Sequence, residues 1–278
     1  MTGRIIYDMP RAEYDQLDAD NWSTLKRIAR SPAHYRHGLD EEQEDTDALR
    51  VGRAGHIAIL EPESFRLKVA VWTGGRRYGT QWEQFRDNNA DRDIITAAEA
   101  EMIQAMADSV SRAHHVTPFL DGRAEVSVLW DAEIVPGFLV PCKARPDMVT
   151  ETHIVDLKLV RDASAEAFGR QALSLGYLSQ AAFYADGYAE ATGTRKPFAF
   201  VAVEKCPPYC AAVYLVTDEQ LAYGRAEYQR LISILSLCRI RGEWPGYQSQ
   251  PECLVLPRWA QRQAEETLTT EIGASHEQ

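Results

Sequence analysis

"PDMVTETHIVDLK", residues 146–158, places Asp147, Asp156 and Lys158 within thirteen positions of a stretch that otherwise alternates as strand, turn, strand. In an extended strand, side chains two apart share a face, so Asp156 and Lys158 project together while Val155 and Leu157 face the opposite layer. One face is apolar and the other carries charge. By the same rule Lys143, Arg145 and Asp147 share a face if their segment stays regular, although Pro146, with no N–H to give to a ladder, marks an edge or a bulge. If the two strands are neighbours, Asp147 and Asp156 converge within reach of one cation.

Working outward, AEVSVLW (124–130) and GFLVPCKA (137–144) have the same period of two, so the run from Arg123 to Val160 reads as a meander. Helices are expected at about 163–175 and 177–191, then strands in PFAFVAVEK and YCAAVYLV, then a long helix over 218–241. The N-terminal part reads as helical. Asn21 or Ser23 caps a short helix, Ser31-Pro32 opens another, ALRVGRAGHIAILEP forms a third ended by Pro62, and a fourth runs from Ala97 to about His114. Residues 40–47 (DEEQEDTD) are expected as an exposed loop, and 72–93, with three glycines, as a long loop or loose insert. The fold class predicted is α/β, a mixed sheet flanked by helices with an N-terminal helical elaboration. One domain over 1–266 is expected: a helical part to about 120, a sheet core over 121–240 and an extension over 241–266, with a disordered tail at 267–278.

Bulk properties narrow the function. There is no run of 18 apolar residues and no basic-then-apolar leader, so a cytoplasmic protein of a bacterial or phage-infected cell is expected. Five scattered cysteines without a CxxC pair favour neither a disulfide framework nor a zinc ribbon. A net charge of -11 argues against a general nucleic-acid coat, yet an enzyme that encloses DNA can keep an acidic exterior and gather its bases in one groove. Arg76, Arg77, Lys143, Arg145 and Arg161 are the candidates for that groove.

Two carboxylates beside main-chain oxygens suit a hard ion such as Mg²⁺, and Lys158 next to them can orient or help deprotonate a water and oppose charge on a phosphoryl group. The chemistry indicated is metal-assisted phosphodiester hydrolysis. Spacing alone leaves open a surface strand whose Asp156 and Lys158 are simply solvated.

P-D-(8 residues)-D-L-K resembles the PD-(D/E)XK nuclease motif, and "CKARPDMV" with "IVDLKLVRDAS" resembles the version in RecE-type, exonuclease VIII-like, phage and prophage exonucleases. "WSTLKRIARSPAHY", "VGRAGHIAILEPESF", "GYLSQAAFYADGY", "FVAVEKCPPY" and "GEWPGY" look like further blocks of that family in family order. The resemblance implies a restriction-endonuclease-like core. It makes Asp147 and Asp156 metal-binding acids together with the Leu157 carbonyl, Lys158 the catalytic lysine, and His56 a residue that approaches the metal. Gln180 and Tyr184, four apart and hence on one helical face, match a glutamine and tyrosine that act on water or phosphate. Glu125 is a candidate further acid.

What the resemblance implies as activity is a Mg²⁺-dependent 5′→3′ exonuclease, with Mn²⁺ as a substitute, acting on double-stranded DNA ends. It also implies a ring-shaped homo-oligomer and a single-strand-annealing partner of the RecT type. The cysteines lack the spacing of iron–sulfur relatives, so no cluster is expected, and no GxxxxGK[ST] motor is present.

Overall fold

Local chemistry starts and stops the N-terminal elements in a computed structural model of the chain, which describes residues 3–41 and 44–275. After β1 (Arg4–Ile6) and α1 (Arg11–Gln16), the Asn21 side chain accepts the Thr24 N–H and caps α2 (Trp22–Leu25), which tightens into a 3-10 turn over Lys26–Ala29. Ser31 caps α3 (Pro32–Asp40), and Thr46 caps α4 (Asp47–Leu60), which ends before Pro62. Beyond α5 (Phe65–Lys68), the stretch expected to be a loop is a parallel β2 (Val69–Trp72), α6 (Thr80–Asn88), β3 (Asp93–Thr96) unit. Its glycines and charges hide a small core of Trp72, Ala70 and Ile94, against which Trp82 and Phe85 pack. A capping box of Thr96 and Glu99 then starts α7 (Ala97–Arg112).

The strands that follow are β4 (Gly122–Ala124), β5 (Ser127–Val135), β6 (Phe138–Ala144), β7 (Met148–Thr150) and β8 (Ile154–Val160). Next come α8 (Ala165–Ser174), α9 (Tyr177–Thr192), β9 (Phe198–Glu204), β10 (Ala211–Val216) and α10 (Asp218–Arg241). The expected meander is divided between two sheets, β1-β5-β6 and β10-β9-β8-β7-β4. One antiparallel ribbon passes between them: Ala124 faces Met148, the Glu125 N–H donates to the Asp147 carbonyl, and Val128 faces Ala144, so register is kept across a bend. Glu125 turns the chain with φ of 52° while Pro146, opposite, has no N–H to lose.

The five-stranded sheet separates two cores. Ile154, Val160, Phe198, Phe200 and Ala202 pack towards α9 and α10, while Val155, Leu157, Ala199, Val201 and Val203 pack against Ala54 of α4 and Ile103, Met106 and Val110 of α7. Burying each of the valine, leucine, isoleucine, phenylalanine and methionine side chains among them contributes about 1.5–3 kcal/mol. Asp156 and Lys158 lie on the α9 side of that sheet. The first compact unit ends at Trp244, and a second begins at Pro245 and contains α11 (Arg258–Ser275). Helix therefore runs through 267–275, where a disordered tail was expected, and 276–278 lie outside the described residues. No helix among the described residues is long and apolar enough to cross a membrane.

Candidate active site

β7 leaves β8 after the pairs Met148–Val155 and Val149–Ile154, so the outer edge of β8 beyond Val155 has no strand beside it. Two side chains satisfy that edge instead. Asp147 Oδ2 accepts the Leu157 N–H at 2.7 Å, and His56 Nε2 lies 2.9 Å from the Leu157 carbonyl oxygen and 3.5 Å from Asp147 Oδ2. The other ring nitrogen of His56 meets the Gly52 carbonyl at 2.9 Å, one turn back on α4, which fixes the imidazole plane. The bend in the ribbon is thus what opens the sheet and brings Asp147 to the gap.

On the α9 face, Asp156 is 3% exposed. Gln180 bridges the motif: its Nε2 donates to Asp156 Oδ1 at 2.8 Å and its Oε1 accepts from Lys158 Nζ at 2.9 Å. Lys158 Nζ also pairs with Asp156 Oδ2 at 2.5 Å, yet that buried oxygen accepts no hydrogen bond. The Tyr177 ring supports the ammonium at 4.4 Å. Tyr184, one turn beyond Gln180, lines the same cavity of about 480 Å³ together with His56, Asp147, Asp156 and Lys158.

The electrostatics follow from burial and crowding. Burial pushes the Asp156 carboxyl up to about 6, helped by Asp147 and opposed by Lys158. Asp147 is held low, because the His56 and Lys158 charges and the Leu157 N–H outweigh its burial. For His56, burial alone would lower the value, yet the Asp147 charge and hydrogen bond, the Gly52 carbonyl and Asp156 raise it to about 9. Lys158 is raised in the same way by the two aspartates against its burial. Without a metal it is therefore a protonated donor.

Other expected residues are placed differently. Lys143 is 5% exposed and donates to the carbonyls of Tyr14, Asp15 and Leu17, closing the C-terminal end of α1, so it is structural rather than a phosphate contact. Arg77 is taken up by Asp47 and Glu99 and lies over Trp82, which removes it from the candidate groove, while Arg76 and Arg161 are exposed. Arg145 lines the cavity, with its Nε 2.6 Å from Glu125 Oε2. Burial and Asp147 keep the Glu125 carboxyl above its usual range. Arg11, Tyr14, Asn21, Ser23 and Lys205 also line the cavity. Ser23 and Lys205 carried a signal in the sequence, as parts of "WSTLKRIARSPAHY" and "FVAVEKCPPY", and Asn21 as a cap candidate; Arg11 and Tyr14 come from α1, whose docking no local pattern announces.

A divalent ion fits this donor set. Asp156 Oδ2 is a buried carboxylate oxygen without a donor, Asp147 is ionised, and the Leu157 carbonyl sits at an open strand edge, a set of oxygens suited to a hard cation. Among the described residues no three His, Cys, Asp or Glu side chains are already gathered as a metal cluster.

A family model described as a PDDEXK-like domain of unknown function, DUF3799, matches residues 21–256. No curated protein sequence matches the chain. Among solved structures, a protein from Eubacterium rectale provisionally named an exonuclease aligns with TM-score 0.61 and 17% identity, over 91% of this chain and 96% of its own, which shows a shared fold. SSO0001 (TM-score 0.32, 16% identity, 77% and 85% covered) and LHK-Exo solved with dAMP (0.28, 16%, 71% and 98%) align too weakly to carry an argument. With the P-D…D-L-K residues gathered at one opened sheet edge and the family model spanning most of the sequence, the chain belongs to the PDDEXK-like family DUF3799.

Proposed function

We propose that the chain is a Mg²⁺-dependent deoxyribonuclease that digests linear double-stranded DNA from its 5′ ends and leaves 3′ overhangs for strand-annealing recombination. The observation that carries the nuclease reading is the cluster of Asp147, Asp156, Lys158 and Gln180, tied together by hydrogen bonds and ion pairs at a strand edge left open to one cavity. Direction, strand preference, a ring-shaped homo-oligomer, an annealing partner of the RecT type and action in the cytoplasm of a bacterial or phage-infected cell rest on the family resemblance of the sequence blocks.

Asp147, Asp156 and the Leu157 carbonyl would hold Mg²⁺ or Mn²⁺, with His56 as a further ligand once the ion displaces the ring's proton. A bound divalent ion supplies an acidified water and offsets charge on the phosphoryl oxygens. The chain's own groups do the positioning. Lys158, protonated and steadied by Gln180 and the Tyr177 ring, donates towards the attacked phosphate as negative charge grows there. Tyr184 stays un-ionised because burial raises its hydroxyl far above its usual value, so it acts as a donor to phosphate or water. Water adds to phosphorus and gives up a proton to solvent, the P–O bond to the departing strand breaks, and the departing oxygen takes up a proton from solvent.

The test is a linear duplex labelled separately at each 5′ end and internally, incubated with Mg²⁺ or EDTA beside a closed circle. Release of 5′-terminal nucleotides from the linear duplex alone, dependent on Mg²⁺ and lowered about 10²- to 10³-fold in Lys158→Ala, is expected. Equal cutting of the circle would replace the exonuclease reading by an endonuclease one, and an untouched duplex would end the nuclease reading.

A further inference from the structure

Four lysines and arginines line the active-site cavity, and three have a carboxylate of their own: Arg11 with Asp15, Arg145 with Glu125, and Lys158 with Asp156. Lys205 has none among the described residues. Its neighbour Glu204 turns to the Ala163 N–H, which it accepts at 3.0 Å, and makes no ion pair with Lys205. The main chain at this point is held firmly, because the Lys205 N–H donates to the Val160 carbonyl at 2.9 Å and the Glu204 N–H to the Cys210 carbonyl at 2.9 Å. A flexible side chain therefore springs from a fixed base at the cavity wall.

Lys26 is in the same condition. It follows the cavity-lining Ser23 by three residues across the junction of α2 and the 3-10 turn, a spacing at which helical side chains are neighbours on one face. Among the described residues it has no acidic partner, and its nearby charges are Lys158 and Arg27, both cations, which together with desolvation lower its ammonium below the usual range. In a chain with 41 acids and 30 lysines and arginines, leaving two cations unpaired around a third is an arrangement that an anion would relieve. Asp147 and Asp156 repel such an anion in the metal-free protein, so the arrangement serves a ligand that arrives with more than one negative group.

We infer that Lys26 and Lys205 hold the phosphates next to the scissile one, making the substrate a phosphodiester chain that continues past the cleaved bond rather than a mononucleotide or small phosphoester. This assignment deepens the nuclease reading and rests on it. The two lysines are positioning residues: they fix the strand, and the cleavage chemistry stays with Asp147, Asp156 and Lys158.

The experiment compares the full-length protein with Lys26→Gln and Lys205→Gln. Binding of a short fluorescent duplex is read by anisotropy with Ca²⁺ in place of Mg²⁺, and cleavage is read with Mg²⁺. Each substitution is expected to raise Kd and KM about fivefold, to leave kcat within about twofold, and to reduce the slope of log K against log salt by about one. A neutral methylphosphonate beside the cleaved bond should weaken wild-type binding by a similar factor and cost the matching lysine variant nothing further. If wild type cuts while both variants keep its Kd, KM and salt slope, the lysines are ordinary surface residues and the inference is overturned. If wild type binds without cutting and the variants lose affinity, the nuclease reading falls and the phosphate track stands. Absence of both binding and cutting removes the two together.

Discussion

His56 spends its two ring nitrogens on main-chain carbonyls and keeps its proton because Asp147 is 3.5 Å away, which makes it the residue whose ionisation is easiest to see from outside. Its value in the folded protein, about 9, lies above the ordinary 6.5. The stability it contributes is therefore complete below pH 6.5 and is lost as pH rises through 9. Its side chain is 29% exposed, so screening by water trims the full linkage value to about 2 kcal/mol. Denaturant melts of the metal-free protein should show stability falling between pH 7 and 10, and His56→Gln should flatten that fall; parallel curves for the two proteins would refute the assignment. Asp156, pushed up to about 6 by burial, loses its contribution in a lower window, as pH rises from 3.8 through 6, and leaves the His56 window clean. Asp147, Asp156 and Lys158 were legible in the sequence because they sit within one hairpin, where strand period alone sets their faces. Arg11 and Tyr14 were not, because what brings them to the site is the docking of α1 on a sheet more than a hundred residues later in the chain.

At the scale of elements, the site depends on where helices can approach. Gly224 of α10 sits so close to α9 that a Cβ there would lie 2.1 Å from the Leu178 carbonyl oxygen and 2.9 Å from the Ser179 nitrogen. Those atoms are backbone and cannot turn aside. Gly224→Ala should destabilise the protein by about 2–3 kcal/mol, and because α9 carries Gln180 and Tyr184, it should lower cleavage beyond the loss of folded material. Urea melts alongside activity per folded molecule measure both effects; a variant as stable as wild type would show that the helices have room to part. Element positions were readable in the sequence wherever capping chemistry was local, as at Ser31-Pro32, or apolar residues fell at helical spacing, as over Ala97–Arg112. They failed in two places for physical reasons. The βαβ unit over 69–96 hides its short apolar core of Ala70, Trp72 and Ile94, with Trp82 and Phe85 packed on it, among glycines and charges, so no period emerges. The division of the meander depends on a bend at Glu125 and Pro146, and period-two alternation is the same whether a ribbon stays in one sheet or crosses into another.

For the molecule as a whole, the net charge of -11 and the two buried carboxylates at the cavity floor point the same way: without a cation the protein is ill-disposed to a polyanion. The carboxylates also cost folding energy, since burial, opposed by Lys158 and helped by Asp147, pushes the Asp156 carboxyl up to about 6, yet at neutral pH it must sit ionised beside Asp147. A divalent ion bound between them relieves that cost in the folded state, and the unfolded chain, with these residues dispersed, has no comparable site. Binding linkage then predicts a gain of about 2.7 kcal/mol when the free ion is at a hundred times its Kd, equal to a rise in Tm of about 5–10 °C for a unit of this size. Thermal melts with increasing Mg²⁺ or Mn²⁺ should show that rise, EDTA should reverse it, and Asp147→Asn should abolish it while keeping its own cooperative transition. The same titration orders the two halves of the function. If DNA affinity climbs over the same range of ion concentration as Tm, the ion is what turns an acidic cavity into a phosphate site; if affinity is already full in EDTA, the cations at the rim hold DNA without help from the carboxylate pair.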